Sequence, residues 1–240
     1  RLPIMRPLFH MPQLIVYNTE TEQALVNEVM HNRYVPQIVT GVGINVPDNV
    51  SAARFRQKFG IDGSFVVYVG RVDSAKNVPE LLDHFARFRD ETDHDTRLVL
   101  IGKSSLEMPV RPDIIPLGFV SEEDKFDAIR AADVLVMPSL YESLSLVAME
   151  AWLMGVPTLV NGQCEVLKSQ TRRSNGGLYY YSYDEFAAAL QRLLDDAPLR
   201  AQLGRQGRAF VAANYSWEVV MAKYRAILET LMPRPREGHG

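Results

Sequence analysis

The chain has 240 residues, enough for one full domain with added elements or for two small domains, and at 47% hydrophobic residues it can bury a real core. A net charge of −3 gives no whole-chain case for nucleic acid or an anionic membrane as partner and leaves only local basic clusters open. The single cysteine, Cys164, excludes an internal disulfide framework and fits a reducing compartment. The apolar runs fall far short of the roughly 20 residues that cross a bilayer. The opening "RLPIMRPLF" lacks the long apolar centre of a signal peptide, and a start at Arg1 suggests a piece of a longer protein.

In chain order, "QLIVYN" (13–18) predicts a strand and "ETEQALVNEVMHN" (20–32) a helix, with Thr19 as its cap. "PQIVTGVGINV" (36–46) holds a strand and a turn, and "VSAARFRQKFG" (50–60) is a short helix ended by Gly60. "SFVVYVGR" (64–71) is a buried-type strand, followed by a helix over 78–90. Strands follow at 96–102 and 114–120, a helix at 121–131, a strand at 133–139 and a helix at 145–154. A strand at 157–161, a weaker helix near 163–170 and a short strand at 176–181 come next. Helices over 183–195, 197–213 and 216–231 close the chain, and the tail "PRPREGHG" has the composition of a disordered segment. Strands apolar throughout, alternating with helices, predict a parallel sheet covered on both faces: a doubly wound, Rossmann-like α/β domain. Such sheets bind ligands at the carboxyl ends of their strands.

After strand 64–69, Gly70 lets the chain turn tightly, and Arg71 and Lys76 project from the loop. Two cations at a strand end beside a helix N-terminus suit a diphosphate; the competing account is an ordinary solvated loop. After strand 133–138 comes "SLYESLSLVAMEA", with Glu142 and Glu150 eight positions apart. At about 1.5 Å rise per residue, eight residues span roughly 12 Å, about the distance from hexose to ribose in a nucleotide-sugar, with Glu142 just before the helix and Glu150 within it. Carboxylates accept well from vicinal hydroxyls. Glu142 can therefore hold sugar hydroxyls and Glu150 ribose hydroxyls, with the diphosphate between them on the amides of Ser145, Leu146 and Val147. The competing account is a helix-end charge and a structural ion pair. Past strand 114–117, the main chain of Phe119 and Val120 can read a base, and Ser121 with Asp124 forms a capping pair.

The segments "GRVDSAKNVPELL", "GFVSEEDKFDAIRAADVLVMPSLYESLSLVAMEAWLMGVPTLV" and "NYSW" resemble the donor-binding half of family 4 retaining glycosyltransferases, the group 1 glycosyltransferases, over residues 36–231. That resemblance implies a GT-B fold. It divides the chain into 1–45, the last strand and helix of an acceptor domain with a linker; 46–215, the nucleotide-sugar donor-binding domain; and 216–240, a crossover helix from Trp217 and a tail. It implies transfer of a sugar from a nucleoside diphosphate sugar to a carbohydrate, lipid or small-molecule acceptor with retention. Arg71, Lys76 and Glu142 would serve catalysis. Gly70, Phe119, Val120, Ser145, Leu146, Val147 and Glu150 would bind the donor, a UDP-, GDP- or ADP-sugar, with no metal or other cofactor. The missing N-terminal acceptor domain is the expected partner, and the expected location is the cytoplasm or the inner face of a membrane.

The chain departs from the pattern at Ser145, where many members have glycine and where a side chain would narrow the space by the phosphate. The loop "NGQCEVLK" after "PTLV" has one glycine, Gly162, where the family is glycine-rich. "DETDHD" (90–95) reads as a solvated charge run, His84 and His94 as surface residues, Cys164 as a small apolar residue, and "TRRSNGG" (171–177) as a basic loop. "GVGINV" (41–46) lacks the third glycine of a dinucleotide fingerprint. The competing functions are a sugar-nucleotide epimerase of related fold and a non-catalytic nucleotide-sugar-binding module.

Overall fold

A computed structural model describes residues 2–231, so the "PRPREGHG" tail lies outside the described residues. The chain divides into two compact units, one from residues up to Ile44 together with those from Ala213 onward, the other Asn45–Ala212.

The first unit opens with a 3-10 turn, Leu2–Met5, and α1, Arg6–His10, neither of which carries a periodic signal in the sequence. Strand β1 (Ile15–Tyr17) leads through α2 (Glu20–Met30) to β2 (Gln37–Val39), and the strands pair in parallel. This strand-helix-strand unit follows the order expected from 13–18, 20–32 and 36–46. Thr19 caps α2 as anticipated, its side chain accepting from the Glu22 amide, and His31 ends it in the left-handed region. The "GVG" glycines serve packing. A Cβ on Gly43 would lie 2.3 Å from the Trp217 ring, and one on Gly41 2.6 Å from Tyr215.

The second unit carries α3 (Ala52–Phe59), β3 (Ser64–Val69), α4 (Val78–Glu91), β4 (Thr96–Ile101), β5 (Ile114–Gly118), α5 (Glu122–Ala131) and β6 (Val134–Met137). It continues with α6 (Leu146–Leu153), β7 (Thr158–Asn161), α7 (Glu165–Ser174), β8 (Gly177–Tyr180), α8 (Tyr183–Asp195) and α9 (Ala197–Tyr215), and α10 (Trp217–Leu231) follows. Six parallel strands lie in the order β5-β4-β3-β6-β7-β8. Each strand sends alternate side chains to opposite faces. Phe65, Val67 and Val69 join Phe55, Ile129 and Leu167 on one side, and Val66 and Tyr68 join Phe85, Phe186 and Leu190 on the other. Both faces are covered, which is why the strands read as unbroken apolar runs.

The basic segment 171–177 is not a loop: through Ser174 it is the end of α7. His84 is not a surface residue either. It packs among Tyr180, Tyr183 and Phe186, and burial lowers its pKa. Three of the acids of 90–95 are engaged in ion pairs: Asp90 with Arg111, Glu91 with Arg87 and Asp95 with Arg89.

Asp113, buried at the start of β5, pairs with Arg111 at 3.0 Å and Arg89 at 3.4 Å. The hydrogen bond from Arg111 holds its carboxyl below the usual range. Folding therefore releases protons here at mildly acidic pH. The resulting stability is complete above about pH 5 and lost as the pH falls through about 4 toward the folded value. The melting temperature of the wild type should accordingly drop more steeply than that of Asp113→Asn between pH 5 and 3. Parallel profiles would contradict this.

Candidate functional site

The order of the strands reverses between β3 and β6, where the chain, having laid β4 and β5 to one side, returns to the centre and builds outward on the other. In an open parallel sheet that point leaves a crevice at the strands' carboxyl ends. The segments after β3 and β6 that carry the candidate residues meet there.

After β3 the backbone is tightly fixed. Gly70 (φ 153°) donates to Ile101 O at 2.9 Å, and the Tyr68 hydroxyl donates to Arg71 O at 2.6 Å. Burial pushes the Tyr68 hydroxyl pKa up, so it stays a donor. Asp73 caps a single 3-10 turn, Ser74–Lys76, by accepting from the Lys76 amide. Asn77 then takes a left-handed conformation (φ 57°), and its side chain donates to Glu80 and, at 3.2 Å, to Pro138 O in the segment after β6. Glu80 also accepts from Asn161 at the end of β7. Three strand-end segments are thus tied together.

Across that brace, Lys76 Nζ donates to Glu142 Oε1 at 2.7 Å, both side chains being mostly buried. Arg71 is 68% exposed and lies 3.2 Å from Asp73. Each expected cation thus has a carboxylate beside it. The basic pair is not two free charges but one exposed arginine and one lysine committed to Glu142.

Helix α6 begins where the sequence indicates. Ser145 is its N-cap, but its hydroxyl is turned into the protein, buried, and accepts from Ala148 N at 3.4 Å. Leu146 and Val147 occupy the first turn. About one turn on, Glu150 pairs at 2.8 Å with Lys125 of α5. Cys164 is buried behind the Glu142 segment, and burial raises its thiol pKa, as suits an inert residue.

A cleft of about 640 Å³ opens beside these residues. Gly70, Arg71, Phe119 and Val120 line it, together with Lys103 and Lys125, which strand-end reasoning passed over; Lys76, Glu142, Ser145, Leu146, Val147 and Glu150 are not among its lining residues. Phe119 is 78% exposed, with the Lys103 ammonium 6.0 Å from its ring. Lys103 was findable, since it directly follows β4. Lys125 was not, because nothing in the sequence of α5 distinguishes it from a surface lysine. Gly102 (φ 140°) was also missed: a Cβ there would lie 1.8 Å from Gly70 O, so the turns after β3 and β4 touch backbone to backbone. Among the described residues no group of three or more His, Cys, Asp or Glu is arranged to hold a metal ion, and no helix is long and apolar enough to cross a membrane.

A doubly wound parallel sheet with basic side chains in a cleft at the carboxyl ends of its strands defines a Rossmann-like class of α/β protein. Within that class the chain belongs to the group 1 glycosyl transferases, whose family model matches residues 51–210. It is 30% identical over 183 residues to the alpha-D-kanosaminyltransferase of Streptomyces kanamyceticus, covering 68% of this chain and 45% of that protein. The chain thus spans about half the length of the curated relatives it matches. Its fold matches sucrose-phosphate synthase from Thermosynechococcus elongatus with a TM-score of 0.81 at 22% identity, over 96% of this chain and 61% of that one. Anabaena HepE, solved in complex with UDP-glucose, matches with a TM-score of 0.79 at 17% identity, over 96% and 67%. The architecture is that of the GT-B glycosyltransferases.

Proposed function

We propose that this chain is the donor-binding half of a retaining glycosyltransferase that takes its sugar from a nucleoside diphosphate sugar. The observation that carries the reading is the meeting of Lys76 and Glu142 at the sheet's switch point, beside a cleft lined by Arg71, Phe119 and Val120. The base enters beside Phe119 and Val120. The diphosphate lies against Arg71, Lys76 and the first turn of α6. Glu142 takes sugar hydroxyls and Glu150 ribose hydroxyls.

As the glycosidic bond breaks, charge builds on the departing diphosphate. Arg71, Lys76 and the helix end stabilise that charge, so no metal is needed. Lys76 has a second role. By holding Glu142, it fixes a carboxylate that would otherwise repel the phosphates. Binding of the donor then adds a phosphate to an ammonium that already balances Glu142, instead of setting a bare carboxylate against it. The acceptor, a carbohydrate, lipid or small molecule, is held by the other half of the longer protein. The UDP-glucose in the HepE complex supports a sugar-nucleotide donor.

Ligand-detected NMR with UDP-, GDP- and ADP-sugars should find at least one that binds and that its own diphosphate displaces; binding by none overturns the reading. Calorimetry should then separate the glutamates. Glu150→Ala weakens the free diphosphate and the sugar-bearing donor alike, by about tenfold or more. Glu142→Ala weakens only the sugar-bearing donor and leaves the free diphosphate unchanged or tighter, because Lys76 is released. Equal losses in both variants would sink the division of labour.

A further inference from the structure

One atom beside the cleft has no explanation within the protein. Among the described residues, Glu150 Oε2 is buried without a hydrogen-bond partner, while Oε1 of the same carboxylate accepts from Lys125 Nζ at 2.8 Å. A buried carboxylate oxygen with no donor is costly, and such an atom marks a place where a ligand or water belongs. Lys125 connects that carboxylate to the cleft, because Lys125 lines the cleft and Glu150 does not.

The lysine's own position is closely determined. It lies in the first turn of α5, whose start is fixed by the Ser121 hydroxyl accepting from Asp124 N at 3.0 Å. Its ammonium sits 4.2 Å from the centre of the ring of Phe126, a fully buried residue. Only 21% of its side chain is exposed. A lysine that merely solvated a helix face would have none of these restraints.

We propose that Lys125 is a positioning residue for recognition of the nucleotide's ribose. By occupying Oε1 it sets the rotamer of Glu150 and leaves Oε2 as the acceptor for a vicinal diol. This rests on the reading of Glu150 as the ribose residue. A plain structural pair between α5 and α6 would instead make no distinction between sugars with and without hydroxyls.

The test is calorimetry of the chain with UDP, GDP and ADP and with the 2′,3′-dideoxy counterpart of each. The wild type should prefer the ribonucleotide that binds best over its dideoxy form by about 10- to 100-fold, the range of hydrogen bonds to a charged acceptor. Lys125→Met keeps the aliphatic stem over Phe126 and removes the ammonium. It should compress that preference to within about threefold, as should Glu150→Gln, and Lys125→Arg should restore most of it. Lys125→Gln is a second variant should Lys125→Met fail to fold. If no diphosphate binds, or if Glu150→Gln keeps the full preference, the assignment of Glu150 to ribose fails and takes this inference with it. If Glu150→Gln loses the preference while Lys125→Met and Lys125→Gln keep it, the inference alone is overturned.

Discussion

Replacing Lys76 with methionine should weaken binding of the nucleoside diphosphate by about 100- to 1,000-fold, the largest effect expected of any single change at the candidate site. Two losses combine. One is the charge-assisted hydrogen bond from the ammonium to phosphate, about 1.5–3 kcal/mol. The other is that Glu142, only 12% exposed at its side chain, is left without the lysine 2.7 Å away that balances it. Breaking one side of a buried pair typically destabilises the folded chain by about 3–5 kcal/mol, because the remaining charge is uncompensated. That orphaned carboxylate would face an incoming anion.

The double variant Lys76→Met with Glu142→Gln should therefore bind the free diphosphate about tenfold or more tightly than Lys76→Met alone, although it has lost one more side chain. Calorimetry on the four proteins of the cycle measures the coupling. A folded Lys76→Met with unchanged affinity would refute the diphosphate role, and strictly additive losses would refute the coupling. Arg71→Ala should cost less. Arg71 is largely exposed, and its neighbour Asp73 keeps a second task in capping the turn at Lys76.

Gly102→Ala should destabilise the protein by about 3 kcal/mol and lower its melting temperature by about 6–12 °C. Two penalties act at once. The φ of 140° lies where side chains are rarely tolerated, and the new methyl would sit 1.8 Å from the carbonyl oxygen of Gly70. Neither neighbour can yield cheaply. Gly70 N is bonded to Ile101 O, and Gly102 N to Gly118 O at 2.8 Å, so the turns after β3, β4 and β5 are stitched in series. The strain should therefore reach Arg71, which follows Gly70 directly, and diphosphate affinity should fall although Gly102 bears no side chain to touch a ligand. Thermal melting with calorimetry on the same sample checks both. A stable variant with weakened binding would show that the turn, not the fold, takes the strain, and unchanged values for both would contradict the close approach.

Much of the fold is legible in the sequence because its signals are local. Short apolar runs rich in β-branched residues such as "SFVVYV" and "TRLVLI", set between helical segments, read as strands buried on both faces, and Thr19, Ser51, Ser121 and Ser182 each cap the helix that follows them. The short N-terminal helix escaped because five residues carry no period, and α7 escaped in part because its apolar positions are few. His84 looked like a surface residue because a lone histidine on a helix does not reveal what packs against it; Tyr180, Tyr183 and Phe186 arrive from about a hundred residues further along the chain.

The site divides along the same line. That Arg71, Lys76, Glu142 and the start of α6 follow strand ends is a property of the sequence alone, because alternating strands and helices oblige a parallel sheet with its loops at one edge. Which of those groups carry a free charge is not. The pairing of Lys76 with Glu142, of Glu150 with Lys125, and the inward turn of Ser145 join or reorient groups whose partners are set by the crossover between β3 and β6 and by the packing of α5 on α6. The residue types able to hold a nucleotide are written in order along the chain. Which oxygen of a carboxylate is left to accept depends on distances of about 3 Å between segments far apart in sequence, and only the packed sheet sets those.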